Sequence, residues 1–402
     1  LRDNRFLDRN IFHQRHQSEL YTTNLDLDGK FDIGFTRHAV LAGFDYMRSQ
    51  TRYFTRGDYE NPNPALTVDI FSPVSTATDS VMIRQTLSPN SLAYEKNIFK
   101  DEWFGVYFHD RITLWDKLHI LGGGRYDWTV TGRGGSTISF SEAETNVPRR
   151  KDHGSSPRVG ILYQLLPQLS LFGNWTTSFG ANNGLSATGG TFNPQRGEQF
   201  EAGIKTALFQ DRLIATASFY HIIRENLLTP DLSTSDPLDS IAIGRQRSQG
   251  VEFDISGRIT EELSLIGSYA YTDANVIRDN SGLLDNRLPQ APKHAGSVWL
   301  RYDIRKIQQL NGLSFGVGVF AVGKRDGDMQ NTFKLPGYAR LDAYAAYRMK
   351  LGPTRLTAQV NARNILDERY FESTDPDLNV APRLGVLPGA PVTILGSLRL
   401  EY

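Results

Sequence analysis

The sequence predicts an all-β protein, the wall of a transmembrane antiparallel β-barrel, and three observations carry that prediction. Stretches of about ten residues or more alternate apolar and polar side chains with period two, the length a tilted strand needs to cross a bilayer. The connections between them alternate strictly between short and long, so all the long loops fall at one end of the sheet. No run approaches the roughly 18 uninterrupted apolar residues of a membrane-crossing helix.

Strands are expected at 12–29, 37–53, 94–114, 118–132, 155–166, 169–180, 197–208, 212–228, 241–258, 262–274, 293–305, 312–324, 338–349, 354–364 and 391–402, 15 in all. The alternation is clean in several. In 251–258 ("VEFDISGR") Val251, Phe253 and Ile255 oppose Glu252, Asp254 and Ser256. In 339–349 Leu341, Ala343, Ala345 and Tyr347 oppose Arg340, Asp342, Tyr344 and Arg348. In 392–402 ("VTILGSLRLEY") Val392, Ile394, Gly396, Leu398, Leu400 and Tyr402 share one parity, with Leu395 the exception on the other. Short connections fall near 30–36, 115–117, 167–168, 209–211, 259–262, 306–311 and 350–353. Long ones fall near 54–93, 133–154, 181–196, 229–240, 275–292, 325–337 and 365–390. A soluble sandwich or propeller also alternates, but its strands are shorter, about 5–6 residues, and its loops are not sorted by end. Short turns then face the periplasm and long loops the outside, and Tyr402 sits at a membrane interface, where aromatic rings favour the headgroup level. The odd strand count and the start at Leu1 lead us to expect an incomplete barrel, with 1–11 as the tail of a long loop.

Composition narrows the function. Lysine plus arginine equal aspartate plus glutamate at 44 each, which gives no pull toward nucleic acid. Cysteine is absent, so disulfides, zinc–thiolate sites and thiol nucleophiles are excluded. No G-x-S-x-G, Walker loop or H-E-x-x-H is present, and no enzyme activity is expected. "GGGRYD" (122–127) lies inside a strand, which suits close packing or strand curvature and not phosphate binding. His13 and His16, three apart on a strand, point to opposite faces and make no metal pair, and His109, His221 and His294 stand alone. "TDPDLN" (374–379) lacks the ligand count of a calcium loop.

Eight segments in order resemble one family. They are "GVYFHDRITLWDKLHILGGGRYDW" (105–128), "LSLFGNWTTSFG" (169–180), "FNPQRGEQFEAGIKTAL" (192–208), "LIATASFYHIIRENLLTPD" (213–231), "RSQGVEFDISGRITEELSLIGSYAYTDA" (247–274), "NRLPQAPKHAGSVWLRYD" (286–303), "LPGYARLDAYAAYR" (335–348) and "VNARNILDERYF" (360–371). Together they resemble the TonB-dependent outer-membrane siderophore receptors, in particular the hydroxamate, ferrichrome-type branch. The resemblance implies a plugged barrel of about 22 strands, of which these 15 are the last. Roughly seven strands, the plug domain and the segment that engages TonB would then lie outside this chain. It further implies a monomeric receptor in the outer membrane, in contact with its lipid and lipopolysaccharide. The receptor binds a ferric siderophore from outside, and the TonB complex drives import. The siderophore brings its own iron, so no resident cofactor or protein metal ligand is expected.

A ferric siderophore site calls for rigid aromatic contact area and for arginine donors to chelating oxygens, under the long loops. Tyr53, Phe54 and Tyr59 stand where 37–53 enters its loop, and Phe71 lies within that loop. Trp128, Phe179 and Phe192 stand where other strands meet long loops. Arg245 and Arg247 enter a strand just below a loop, and are expected on the lumen face, paired with acidic neighbours such as Glu252 and Asp254. The competing role for each aromatic, above all Trp128 and Phe179, is a lipid-facing girdle. Rival functions are a receptor of the same class for cobalamin, haem or a glycan, a passive porin, and an outer-membrane enzyme.

Overall fold

The computed structural model describes residues 5–9, 12–57, 63–72, 94–145, 147, 149–182, 192–234, 240–374 and 385–402. Its strands are β1 (Phe6–Arg9), β2 (Phe12–Ile33), β3 (Thr36–Gly57), β4 (Asn63–Asp69), β5 (Tyr94–Leu114), β6 (Leu118–Ser136) and β7 (Arg149–Leu166). Then come β8 (Leu169–Gly180), β9 (Gln195–Leu208), β10 (Leu213–Pro230), β11 (Ser240–Arg258), β12 (Leu263–Arg278), β13 (His294–Asp303) and β14 (Leu313–Val322). The last are β15 (Arg325–Asp326), β16 (Lys334–Leu335), β17 (Tyr338–Leu351), β18 (Thr354–Arg363), β19 (Phe371–Thr374), β20 (Val386–Pro388) and β21 (Thr393–Glu401). Fifteen of them form one antiparallel sheet in the order β2-β3-β5-β6-β7-β8-β9-β10-β11-β12-β13-β14-β17-β18-β21. Each expected strand is there. Neighbours in sequence are neighbours in the sheet, and the outermost strands are β2 and β21.

Several strands run further into the long-loop end than expected. The one expected at 155–166 begins at Arg149, because 149–154 ("RRKDHG") is polar on both faces and shows no alternation to read. Arg150 and Asp152, two apart on one face, form an ion pair at 2.6 Å that continues the strand. The sequence also missed two hairpins within the long loops, β15 with β16 and β19 with β20, the pairing of β1 with β4, and a short helix at Phe140–Thr145. Tight links close the other end. Between β17 and β18 stand only Gly352 and Pro353, and Gly352 takes φ +62°, which glycine adopts without a Cβ clash.

The chain divides into two compact units. The first comprises Leu1–Leu27, Leu41–Phe108 and Arg125–Ser155. On one face of its strands Phe44, Phe104, Trp128 and Tyr126 form a chain of rings, with centroids 4.8, 5.4 and 4.6 Å apart. Phe104 shares its parity with the exposed Val106 and Phe108, so these rings stand on the apolar face. On the opposite face the Arg125 guanidinium bridges Asp45, at 2.5 and 2.8 Å, and Asp127, at 2.6 Å. Tyr107 beside it donates to Asp26. Gly43 and Gly105 make this cluster possible: a Cβ would meet the Tyr107 ring at 2.3 Å or the Arg125 guanidinium at 2.0 Å.

The second unit comprises Asp28–Val40, His109–Gly124 and Ser156–Tyr402. Its register lines up apolar rows. Leu171, Ile204, Ala217, Phe253 and Tyr269 are successive partners across β8 to β12. Val317, Ala343, Ala362 and Ile394 continue on β14, β17, β18 and β21. Their large members are exposed to the surroundings, which places this face against hydrocarbon. The other face carries Glu201, Glu252, Asp254, Ser297, Arg301, Tyr344, Gln359, Asn361 and Arg399, as the register requires. A charge on the apolar face is therefore costly and one on the polar face is not. Val317→Arg is expected to destabilise the full-length protein by about 2–4 kcal/mol, and Ser397→Arg by much less, in equilibrium unfolding from lipid vesicles.

Candidate functional site

The register decides which expected site residues face the lumen. In unit two, Phe179 pairs with Arg196, Arg196 with Glu225, and Glu225 with Arg245, one row without a break. That row has the parity of Phe253 and Ile204, the apolar face. Arg247 shares it. The partners expected for these arginines are therefore corrected. Arg245 pairs with Glu225 at 2.8 Å, and Arg247 with Asp273 at 3.2 Å. Glu252 and Asp254 have the opposite parity and point away from both.

Phe192 is half-buried just before β9. In unit one, Trp128 belongs to the apolar-face rings. Tyr53 lies edge-on to His16, with centroids 5.9 Å apart, and accepts from the Gln14 amide. Phe54 has the Lys96 ammonium 5.9 Å from its ring centre. Phe71 is exposed, beside the carboxylate of Asp69 that binds its backbone N–H at 3.0 Å. Tyr59 lies outside the described residues, as do 61–62 of "NPNP" and 375–379 of "TDPDLN".

A constellation of the expected chemistry does exist in unit two, on residues the sequence reading did not single out. It stands on the polar face where β14 and β17 meet their long loop. Arg340 lies over the Phe320 ring at 5.5 Å. It donates to both oxygens of Asp342, from Nε at 3.0 Å and Nη2 at 3.0 Å, and from Nη1 to the Tyr370 hydroxyl at 3.1 Å. Tyr370 stacks on Tyr338 with centroids 4.2 Å apart. Asp342 is itself fixed by the Asn364 backbone N–H at 2.8 Å. Asn364 can do this because it turns at φ +54° and its amide bridges the Glu368 and Ala390 carbonyls, at 3.0 Å each. Three of five guanidinium N–H groups are thus spent on positioning. One row below, Trp299 stacks obliquely on Tyr344 at 6.4 Å, each ring lying over a glycine of β14. The signal was in the sequence: Arg340, Asp342 and Tyr344 are the polar parity of 339–349. Their meeting with Tyr370, about 30 residues on, was not.

Above this wall three loops are tied together. Arg325, only 4% exposed, donates from Nη2 to the carbonyls of Phe371 and Glu372 at 2.8 and 2.9 Å and faces the Tyr338 ring. Burial pulls its guanidinium below the usual value. The Gln290 side chain donates to the Thr374 carbonyl at 2.6 Å, and the Thr374 hydroxyl to Gly327 at 2.7 Å. Asn331 bonds both the N–H and the carbonyl of Arg287, at 2.8 and 2.9 Å. The first of these loops has an internal anchor at Asp279. Burial works to raise this carboxyl, but the N–H groups of Leu283 and Ser281 outweigh it and hold the group below the ordinary carboxylate range.

Sequence relatives fit this geometry. A model of the TonB-dependent receptor-like β-barrel matches residues 2–365. The chain belongs to the TonB-dependent receptor β-barrel family. It is 32% identical over 381 residues to the metal-pseudopaline receptor of Pseudomonas aeruginosa, covering 94% of this chain and 51% of that protein. To the ferrioxamine B receptor of Salmonella typhimurium it is 30% identical over 348 residues, covering 86% and 46%. To the ferrichrome outer membrane transporter/phage receptor of Escherichia coli it is 27% identical over 354 residues, covering 88% and 45%. The chain thus spans about half the length of the curated relatives it matches. Among solved folds, the closed ferric-catecholate import receptor of Escherichia coli K12 superposes with a TM-score of 0.75 at 21% identity, over 96% of this chain and 55% of that one. This is an outer-membrane family, and its members cross the bilayer on strands. No helix among the described residues is long and apolar enough to cross.

Two outcomes follow for the tied loops. Arg325→Ala leaves the Phe371 and Glu372 carbonyls without their donor, at a local cost of about 1–3 kcal/mol, seen as faster amide exchange in 371–374 and 325–327. Asp279 has a folded pKa below its unfolded value. Its contribution is therefore full above the unfolded pKa and is lost as pH falls through the folded one. Loop 279–293 should lose protection below the ordinary carboxylate range, and Asp279→Asn should show that loss already at neutral pH.

Proposed function

We propose that this chain is the greater part of the wall of a TonB-dependent outer-membrane receptor that takes up a ferric siderophore of hydroxamate type from outside. The observation that carries the reading is the wall of Phe320, Tyr338, Arg340 and Tyr370 on the polar face, beneath three mutually bonded loops. Rigid rings offer contact area at small entropic cost, and a pre-positioned guanidinium offers paired donors to chelating oxygens. The iron arrives within the ligand as cargo, so the wall has no need to coordinate it. Similarity to the ferrioxamine B and ferrichrome proteins supports the hydroxamate class. Similarity to a metal-pseudopaline receptor supports a second reading, a metal complex of another chelator at the same wall.

Import itself is assigned to the longer protein of which this chain would be part. A plug within the lumen and a segment that engages TonB would couple binding to the energy of the inner membrane. The wall performs no covalent chemistry. The apolar face meets outer-membrane lipid, and the charged groups at its upper end, Arg196, Glu225, Arg245 and Arg247, meet the headgroups of lipopolysaccharide. The receptor works as a monomer.

The test uses the full-length gene in an iron-starved host without its own hydroxamate receptors. Iron-labelled ferrichrome should enter only when TonB is functional. Phe320→Ala and Tyr338→Ala should each weaken binding about tenfold, some 1.4 kcal/mol, at unchanged surface levels. Uptake without TonB would overturn the receptor reading. TonB-dependent uptake of other metal chelates with ferrichrome refused would favour the second reading.

A further inference from the structure

A polar cavity lies at the opposite, short-turn end of the polar face, in unit two. It has a volume of about 290 Å³ and is lined by Arg301, Arg305, Arg348, Ser314, Thr357 and Gln359 among others. The pattern of β14 makes it. On that strand Leu313, Phe315, Val317 and Val319 take the apolar face, leaving Ser314, Gly316 and Gly318 on the polar one, with Gly312 at the turn. Small residues leave a trough between the long side chains of β13 and β17. Gly316 permits the Tyr344 ring to cross it, since a Cβ there would meet that ring at 2.1 Å.

The charge in the trough is unbalanced. Arg301 is neutralised by Asp303, at 3.0 Å from Nε and 2.7 Å from Nη2. Arg305 and Arg348 have no carboxylate within ion-pair distance among the described residues. The one side-chain bond of Arg348 there is a long one, from Nε to the Thr357 hydroxyl at 3.5 Å. Two exposed guanidiniums therefore flank a pocket that already offers hydroxyl and amide groups. Nothing can close over this pocket without desolvating both cations, which is unfavourable unless an anion comes with it. A planar oxyanion matches two guanidinium forks.

We infer that this pocket binds an oxyanion, and that its occupant in the intact receptor is a carboxylate side chain of the polypeptide that fills the lumen. The choice of occupant rests on the reading of the chain as about half of a plugged receptor. The pocket faces the lumen and not the lipid. The sequence relatives are about twice as long as this chain, which leaves ample polypeptide to supply the acid. The contact would pin the lumenal segment at the short-turn end, far along β14 and β17 from the aromatic wall.

Thermal unfolding of the full-length protein in detergent tests this without any siderophore, so its result does not depend on the uptake reading. Three forms are compared: wild type, Arg305→Gln with Arg348→Gln, and Arg305→Lys with Arg348→Lys. Each is scanned with and without millimolar inorganic pyrophosphate. The expected result is a lower Tm for the glutamine pair, a Tm restored by the lysine pair, and no effect of pyrophosphate on wild type. If the glutamine pair fails to fold while the lysine pair folds, the requirement for charge is met. A rise in wild-type Tm with pyrophosphate, absent from the glutamine pair, keeps the oxyanion site but makes its occupant a soluble anion. A glutamine pair with unchanged Tm and an unchanged response to pyrophosphate overturns the inference.

Discussion

Inside a bilayer there is no water to accept an orphaned N–H or solvate an orphaned carbonyl. Every other feature of this chain depends on that constraint. Each strand must bond to the next along its whole membrane-crossing length, and the register among the described strands runs through long stretches without a slip. From Leu213 to Glu225, β10 keeps one register with both neighbours. Since side chains alternate strictly, an unbroken register forces whole rows onto one face. The apolar rows meet lipid, and everything chemical is left to the other face and to the strand ends.

That division explains why the polar face holds close approaches between long side chains and glycine. Arg125 lies against Gly105 with three carboxylate contacts around it, and Tyr344 and Trp299 lie flat across Gly316 and Gly318. Such groups are rigid because each long side chain is braced by a partner and by bare backbone below. A rigid wall suits recognition, since the entropy of holding a ring or a guanidinium in place is lost on folding and not on binding. At the long-loop end, Arg325, Gln290 and Asn331 extend the same bracing across three loops.

The sheet was almost fully legible in the sequence, because period-two alternation and loop length are local signals. All 15 strands were placed. Their ends in polar segments such as 149–154 were not, since alternation between two polar faces leaves no trace. The candidate site was far less legible. Arg245 and Arg247 were expected in the lumen, although counting back by twos from Val251 and Phe253 puts both on the apolar face. Position along a strand was weighed there and parity was not. Tyr370 could not have been found at all. It meets Arg340 only because Asn364 turns the chain back over the end of β17, a contact between residues that no local pattern links.

One parity of each strand faces lipid and the other the polar lumen, and the absence of cysteine from this chain makes this alternation directly measurable. Single cysteines placed in turn from 313 to 322 on β14 and from 339 to 348 on β17, in the full-length protein in vesicles, can carry a spin label. Collision with oxygen, which favours lipid, and with a water-soluble nickel chelate should alternate out of phase with period two. Oxygen should peak at 315, 317 and 319 and at 341, 343 and 345. A flat profile, or equal access of the chelate to both parities, would contradict it.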